Sequence, residues 1–210
     1  MSKTIKEIMN SSPIVPVMVI NKVEHAVPLA KALVKGGITV LEITLRTEAA
    51  LESITRIKAE VPDAIVGAGT IINIDTLNKA IAAGAEFIVS PGTTDAMIDA
   101  AIATGVPLLP GVANPSEAMR LLEKGITEMK FFPAEAAGGI PMLKSIGAPI
   151  PQITFCPTGG VNQKNVKDYY SLPNVACVGG SWMCAANLVD AEDWDEITRL
   201  SAEAIKLATA

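Results

Sequence analysis

The chain has few aromatic residues, few cysteines and a single histidine. Aromatic residues make up 4% of its 210 positions, so aromatic stacking surfaces for nucleic acid are not expected. The three cysteines, Cys156, Cys177 and Cys184, lack metal-ligand spacing, and we expect them to be small hydrophobic residues in a reducing compartment. His25 opens a helical segment and is expected to be solvated, and histidine-based metal catalysis lacks its ligands.

Positive charge and long hydrophobic runs are also lacking. The formal net charge is −5 and the pI is about 5.0, which argues against non-specific binding of nucleic acid. The longest apolar run, 14–20, contains Pro16 and is far shorter than the roughly 18 residues of a membrane span. Residues 1–9 have no apolar core of the signal-peptide type. We therefore expect a cytoplasmic protein without nucleic-acid or membrane partners.

A helix-glycine-strand unit recurs along the chain about every 20 to 25 residues, which is typical of parallel β/α architecture. Half of the residues are hydrophobic and the mean hydropathy is +0.38, as expected for strands buried on both faces. Predicted strands are 14–20, 38–44, 64–68, 87–90, 107–109, 128–132, 153–158 and 175–179. Predicted helices are 24–35, 48–60, 75–83, 95–104, 116–124, 141–146, 165–170 and 194–208. Several helices end at glycine, as left-handed caps require.

Eight strand-helix pairs predict a single (β/α)8 barrel domain over residues 1–210, with a short N-terminal helix at 5–9 that closes the barrel bottom. The alternative is an open doubly wound sheet. That fold would carry a glycine-rich nucleotide fingerprint after the first strand, and residues 21–24 carry none.

Lys130 carries an ionisable amine within segment 128–132, which otherwise has the composition of a buried strand. Burying an unpaired ammonium costs several kcal/mol unless the group finds a partner or loses its proton. A neutral lysine amine is a nucleophile towards ketones. Lys130 is therefore the leading candidate for a catalytic residue.

Glu42 is the predicted partner of Lys130. Segments 37–42 and 125–130 both begin with Gly-Ile-Thr and place an ionisable residue five positions after the glycine. Equivalent positions on strands two and six would face each other across the barrel interior. The two side chains could form a catalytic pair or a purely structural salt bridge, since both arrangements satisfy buried charges.

Two further segments indicate a site that binds an anionic ligand. Period-two alternation places Glu42, Thr44 and Arg46 on one side of the second strand, and the Arg46 guanidinium matches a carboxylate, although a solvated surface arginine is the alternative. Segment 67–70, Gly-Ala-Gly-Thr, lets a ligand approach the backbone and adds the Thr70 hydroxyl.

Glycine pairs follow the last two predicted strands, at 159–160 and 179–180. In phosphate-binding barrels the loops after strands seven and eight form the phosphate site, with backbone N–H groups aimed at the anion. Such a site needs no cluster of lysines. The two glycine pairs in consecutive loops therefore predict a phosphate-binding end.

The chain resembles the bacterial 2-keto-3-deoxy-6-phosphogluconate (KDPG) aldolases, also called 4-hydroxy-2-oxoglutarate (KHG) aldolases. The resemblance is in segments 41–47 (LEITLRT), 67–70 (GAGT), 90–92 (SPG), 130–135 (KFFPAE), 156–160 (CPTGG) and 179–182 (GGSW). It spans essentially the whole chain.

The resemblance implies a homotrimeric (β/α)8 class I aldolase that cleaves KDPG to pyruvate and glyceraldehyde 3-phosphate in the Entner–Doudoroff pathway. It also implies cleavage of 4-hydroxy-2-oxoglutarate to pyruvate and glyoxylate. By motif, Lys130 matches the Schiff-base lysine and Glu42 the general acid/base. The matched substrate contacts are Arg46, Thr70, Pro91, Phe132 and Thr158, and the matched phosphate contacts are Gly159, Gly160, Gly179, Gly180 and Ser181. No metal or organic cofactor is implied, because the imine replaces a Lewis acid.

Three alternatives remain open at the level of the sequence. The substrate could be the epimeric 2-keto-3-deoxy-6-phosphogalactonate, because the contacts that distinguish C4 configuration have no sequence signature. A metal-dependent sugar-phosphate isomerase or epimerase would need histidine and aspartate ligands that are missing. A non-catalytic phosphosugar-binding barrel would use the predicted pair of charges only for structure.

Overall fold

Strands and helices alternate along residues 3–209, the part of the chain that the computed structural model describes. The strands are β1 Ile14–Met18, β2 Val40–Thr44, β3 Ile65–Gly69, β4 Phe87–Val89, β5 Leu108–Leu109, β6 Gly111–Val112, β7 Glu128–Phe131, β8 Thr154–Pro157 and β9 Val178–Gly180. The helices are α1 Ile5–Ser11, α2 Ala26–Lys35, α3 Ala50–Glu60, α4 Ile74–Ala82, α5 Asp95–Thr104, α6 Pro115–Glu123, α7 Gly139–Gly147, α8 Val166–Tyr170, α9 Ala186–Asp190 and α10 Trp194–Thr209. Short 3-10 turns occupy Val23–His25 and Trp182–Cys184.

All strand pairs are parallel, and the strands form a curled α/β sheet in two segments. One segment has the order β5-β4-β3-β2-β1-β9 and the other the order β6-β7-β8. Isolated parallel bridges, Phe155 with Val175 and Thr158 with Gly179, lie between the β8 and β9 regions. The prediction of a parallel β/α architecture is confirmed.

The predicted fifth strand, 107–109, is two short strands that pair with different neighbours. β5 pairs with β4, whereas β6 pairs with β7. Pro110 separates them because proline has no N–H to give to a ladder. The Pro110 carbonyl still accepts a 2.8 Å hydrogen bond from the Lys130 backbone N–H.

The other predicted strands are present with ends shifted by at most three residues, and the predicted helix 95–104 has the same bounds as α5. The sequence did not predict helix α9 or the 3-10 turn at Trp182–Cys184, which are too short for a helical period to develop. The predicted helix 24–35 begins in the other 3-10 turn and continues as α2. Among the predicted caps, Gly37, Gly84, Gly105 and Gly125 have φ values between 70° and 98°, as left-handed caps require.

The interior of the sheet holds an inner cluster of apolar side chains, distinct from the larger core between the sheet and the helices. Its members are Ile8, Met9, Val15, Val40, Phe87, Val89, Leu109, Cys156 and Cys177. Ile8 and Met9 come from α1, so the predicted N-terminal helix covers one end of the sheet interior. Thr4 and Glu7 fix the start of α1 with a capping box. All three cysteines are free and buried, as expected of small hydrophobic residues.

His25 is buried, and the expectation that it would be solvated is wrong. Only 3% of the residue is exposed, its Nε2 lies 3.3 Å from a Glu192 carboxylate oxygen, and its ring meets the edge of Trp194. The residues that cover His25 come from the turn before α10 and from its first residue, more than 160 positions along the chain. No local pattern around His25 could indicate them.

No helix within residues 3–209 combines the length and apolar character that crossing a membrane requires.

Helix α2 ends at a close approach to α10. A Cβ atom at Gly36 would lie 2.4 Å from the Cβ of Ser201 and 2.6 Å from the Thr198 carbonyl oxygen. The backbone of α10 therefore leaves no room for a side chain at this position.

We predict that Gly36→Ala lowers the free energy of unfolding by about 1–3 kcal/mol, because the added methyl group overpacks the contact between two helices. Urea denaturation measures the change. Gly92→Ala is the matched control, since a Cβ there would meet nothing within 4 Å, and it should stay within about 0.5 kcal/mol of the unsubstituted protein. Equal stability of the two variants would contradict the prediction.

Candidate active site

Lys130 and Glu42 meet inside the curled sheet. The Lys130 Nζ lies 3.3 Å from Glu42 Oε1, and the side chains are only 5% and 3% exposed. They extend from β7 and β2, which belong to different sheet segments. The predicted contact between the two charges is therefore present, in a setting where water screens it little.

Glycine at position 69 makes room for the Glu42 carboxylate. Glu42 pairs in register with Gly67 on β3, and its carboxylate lies against the next glycine along the same face, Gly69. A Cβ atom at Gly69 would lie 2.1 Å from Glu42 Oε1. The sequence suggested that these glycines admit a ligand. The structure shows that Gly69 accommodates a neighbouring side chain of the protein.

Lys130 opens on a cavity of about 180 Å³ that contains most of the predicted site. The cavity is lined by Val17, Arg46, Lys130, Phe132, Thr158, Gly159, Gly160, Val161, Gly179, Gly180 and Ser181. The Nζ atom of Lys130 stands 5.3 Å from the centroid of the Phe132 ring. Phe132 also borders an adjoining cavity of about 290 Å³, and Pro91 lines this second cavity rather than the first.

Arg46 and Thr70 form one corner of the mouth. The Arg46 Nε donates a 3.0 Å hydrogen bond to the Thr70 hydroxyl oxygen, and Thr70 has a φ of 62°, in the left-handed region. The terminal amino groups of Arg46 have no acceptor among residues 3–209, which leaves them available to a carboxylate. Thr44 was predicted to share this face, but it is fully buried and donates to the Met18 carbonyl.

The glycine pairs form the far end of the cavity. Gly159 and Gly160 have φ values of 102° and 83°, which L side chains rarely adopt. A Cβ at Gly179 would lie 2.2 Å from the Thr158 hydroxyl, so this glycine makes room for that side chain. Ser181 is exposed at the rim. The predicted phosphate residues are thus brought together at one end of the cavity.

Three residues at the site were not predicted from the sequence. Val17 and Val161 line the cavity, and Cys156 is the register partner of Lys130 on β8. A hydrogen bond with Cys177 and the positive charge of Lys130 lower the pKa of Cys156 from its ordinary value. Alternation along β1 could have identified Val17 as inward-facing, whereas the position of Val161 depends on the loop geometry.

The site combines four chemical groups within one small space. It offers an amine, a carboxylate within reach of that amine, a guanidinium with unused donors, and a glycine-rich backbone at the opposite end. Such an arrangement can attack a carbonyl, move protons and hold an elongated dianion. Among residues 3–209, no three histidine, cysteine, aspartate or glutamate side chains come together as a metal site.

Comparison with known proteins agrees with this geometry. The family model described as KDPG and KHG aldolase matches residues 5–200. A 2-dehydro-3-deoxy-phosphogluconate aldolase of Pseudoalteromonas atlantica is 54% identical over 200 residues, which cover 95% of this chain and 93% of that protein.

Two solved structures share the fold closely. KDPG aldolase from Legionella pneumophila, with pyruvate captured at low pH as a covalent carbinolamine intermediate, is 47% identical with a TM-score of 0.93, covering 94% of this chain and 96% of that one. The Zymomonas mobilis enzyme with 3-phosphoglycerate is 45% identical with a TM-score of 0.94, covering 99% and 97%. The family model covers nearly the whole chain, and these relatives are similar to it along their length. Together with the buried lysine-glutamate pair on parallel strands, this shows that the chain belongs to the KDPG and KHG aldolase family.

Proposed function

We propose that the protein is a class I aldolase that cleaves 2-keto-3-deoxy-6-phosphogluconate to pyruvate and glyceraldehyde 3-phosphate through a Schiff base on Lys130. The observation that carries the proposal is the 3.3 Å contact between Lys130 Nζ and Glu42 Oε1 beside a cavity with a glycine-rich far end. The covalent carbinolamine of pyruvate in the Legionella pneumophila relative supports the same chemistry.

The contact between the two side chains prepares the nucleophile. Transfer of one proton from the Lys130 ammonium to the Glu42 carboxylate gives a neutral amine and a carboxylic acid. The amine adds to the C2 carbonyl of the substrate, and the acid protonates the departing hydroxyl, so that water leaves and an iminium forms. Glu42 is then a carboxylate again, ready for the next proton.

Cleavage uses the iminium nitrogen as an electron sink. Glu42, directly or through a water molecule, takes the proton from the C4 hydroxyl, and the C3–C4 electron pair moves into the enamine. Glyceraldehyde 3-phosphate leaves. Glu42 then returns a proton to the enamine carbon, and water hydrolyses the resulting iminium to release pyruvate and restore the Lys130 amine.

The rest of the cavity positions the substrate for these steps. In the proposed complex, the free guanidinium donors of Arg46, next to the Thr70 hydroxyl, bind the carboxylate next to the ketone. The loops at 159–160 and 179–181, which line the cavity, bind the distant phosphate. Phe132 packs beside the reacting amine, and Pro91 borders the adjoining cavity. Binding energy from the phosphate can thus orient the reacting end.

We also propose activity on 4-hydroxy-2-oxoglutarate, which shares the 2-keto acid end and the C4 hydroxyl but lacks a phosphate. The family description, which names both substrates, supports this extension. The epimeric 2-keto-3-deoxy-6-phosphogalactonate is the second candidate. Separate steady-state assays with the two epimers decide between them, and a higher kcat/KM for the galactonate form would overturn our choice.

We propose further that the strands form a closed (β/α)8 barrel and that the chain is a single domain of this fold. Two features support closure. Pro110 directly joins β5 of one sheet segment to β6 of the other, and the bridges at Phe155 and Thr158 bring β8 next to β9. β5 and β6 then count as one strand, which gives eight.

Trapping is the direct test of the Schiff base. Incubation with pyruvate and borohydride should add a stable reduced pyruvyl group to the peptide that contains Lys130, read by mass spectrometry. Lys130→Met should remain unmodified and lose turnover. Normal turnover together with an unmodified Lys130 would exclude the imine mechanism, and a protein that neither turns over nor becomes labelled would indicate a non-catalytic binder.

For Glu42→Gln we predict a fall in kcat/KM of about 10²–10⁴, because the amide can neither accept nor return the protons of the mechanism. Glu128→Gln is a matched control, since Glu128 lies on β7 two residues before Lys130 and its carboxylate accepts from the Thr127 hydroxyl. This control should keep its kinetics. A Glu42→Gln protein with full activity would remove Glu42 from the mechanism.

We propose a homotrimer, on the basis of the family resemblance. Large apolar side chains exposed on the surface are consistent with an interface, namely Val19, Ile72, Ile74, Ile102 and Met119. Light scattering of the purified protein should give three times the 21.9 kDa mass of the chain. A concentration-independent monomer or dimer would contradict the proposal.

A further inference from the structure

Two peptide groups in the loop after β8 have their carbonyl oxygens held on the outside of the cavity. The Gly159 carbonyl accepts a 3.0 Å hydrogen bond from the backbone N–H of Glu135. The Gly160 carbonyl accepts two, at 2.9 Å from Asn162 Nδ2 and at 3.1 Å from Asn165 Nδ2. Three donors therefore fix the orientation of two successive peptide planes.

The N–H groups of the same peptides point the other way. In a trans peptide the carbonyl and the N–H are on opposite sides, so the N–H groups of Gly160 and Val161 face away from these donors. Both residues line the cavity, and within residues 3–209 neither N–H has a hydrogen-bond acceptor. Backbone donors in this state are suited to an anion.

The side chain of Glu135 also packs against this loop and supports it. A Cβ atom at Gly160 would lie 2.5 Å from Glu135 Cγ, so the stem of Glu135 packs directly on the outer face of this glycine. The carboxylate of Glu135 accepts a hydrogen bond from the Tyr169 hydroxyl on α8. Burial and this hydrogen bond raise the pKa of Tyr169, so the phenol remains a donor at neutral pH.

Glu135 belongs to the Lys-Phe-Phe-Pro-Ala-Glu segment, yet the proposed mechanism gives it no role. Its carboxylate is engaged by Tyr169 on the outside of the loop rather than turned into the cavity. Tyr169 is fully buried, which anchors the other end of the contact. The contact therefore connects the segment after β7, the loop after β8 and α8.

We propose that Glu135 and Tyr169 are positioning residues that determine specificity for the phosphorylated substrate, because they hold the Gly160 and Val161 N–H groups towards the phosphate. The inference rests on the proposed aldolase function. Loss of the Tyr169 hydroxyl should loosen the loop and weaken phosphate binding. It should leave the chemistry at Lys130 unchanged, because that chemistry takes place at the other end of the cavity.

The test compares Tyr169→Phe with Tyr170→Phe. Both substitutions remove one tyrosine hydroxyl from the same helix, but the Tyr170 hydroxyl donates to the Pro13 carbonyl before β1, away from the loop. Three rates are measured: cleavage of the phosphorylated substrate, cleavage of 4-hydroxy-2-oxoglutarate, and exchange of pyruvate methyl protons with deuterated water by NMR. The exchange needs the Schiff base and no phosphate.

For Tyr169→Phe we expect KM for the phosphorylated substrate to rise about five- to tenfold, the value of roughly one hydrogen bond. The other two rates should stay within about twofold, and Tyr170→Phe should change none of the three beyond that margin. Glu135→Ala should reproduce the Tyr169→Phe pattern, whereas Glu135→Gln, which keeps the stem and an acceptor, should restore most of the affinity.

The results that would contradict the aldolase proposal differ from those that would contradict the specificity role. If the unsubstituted protein exchanges no pyruvate protons, the aldolase proposal fails and this inference fails with it. If it exchanges them, but Tyr169→Phe changes all three rates equally or none of them, the aldolase proposal stands and the specificity role is overturned. Thermal melting of each variant separates loss of fold from loss of phosphate affinity, and Glu135→Ala provides a second route if Tyr169→Phe does not fold.

Discussion

The buried contact between Lys130 and Glu42 is the constraint on which the rest of the site depends. Two charges removed from water cost several kcal/mol each, and close pairing or the loss of a charge offsets that cost. Loss of either partner would leave the other charge buried alone. The parallel strands β2 and β7 fix the two backbones, so the side chains meet without long flexible stems in solvent. The same proximity that lowers the cost of burial also allows the proton transfer that a nucleophilic amine needs.

In the proposed phosphate site, the backbone supplies donors that charged side chains supply in many other phosphate-binding proteins. Gly69 is small enough to leave space for a carboxylate, and Gly159 and Gly160 adopt positive φ values that turn their carbonyls towards outside donors. A net charge of −5 is therefore compatible with the proposed phosphate site. Backbone N–H groups act on an anion locally, where the overall charge of the protein has little influence.

Sequence reasoning succeeded where position along a strand determines where a side chain lies. The equal offsets of Glu42 and Lys130 from their Gly-Ile-Thr segments predicted the contact, because side chains alternate regularly along parallel strands. Sequence reasoning failed where segments that are far apart in the chain meet. His25 is buried by residues 192–194, which are remote in the sequence. The hydrogen bond between Tyr169 and Glu135 likewise joins a loop to a later helix. The role of Gly69 was ambiguous, since a glycine can admit either a ligand or a neighbouring side chain.

The distance along the chain between Glu42 and Lys130 affects how the site forms during folding. The two residues are 88 positions apart and come from different sheet segments, so neither segment alone contains both members of the pair. Their side chains reach the 3.3 Å contact only once the strands of both segments have docked. A partly folded chain therefore holds neither charge in its final setting.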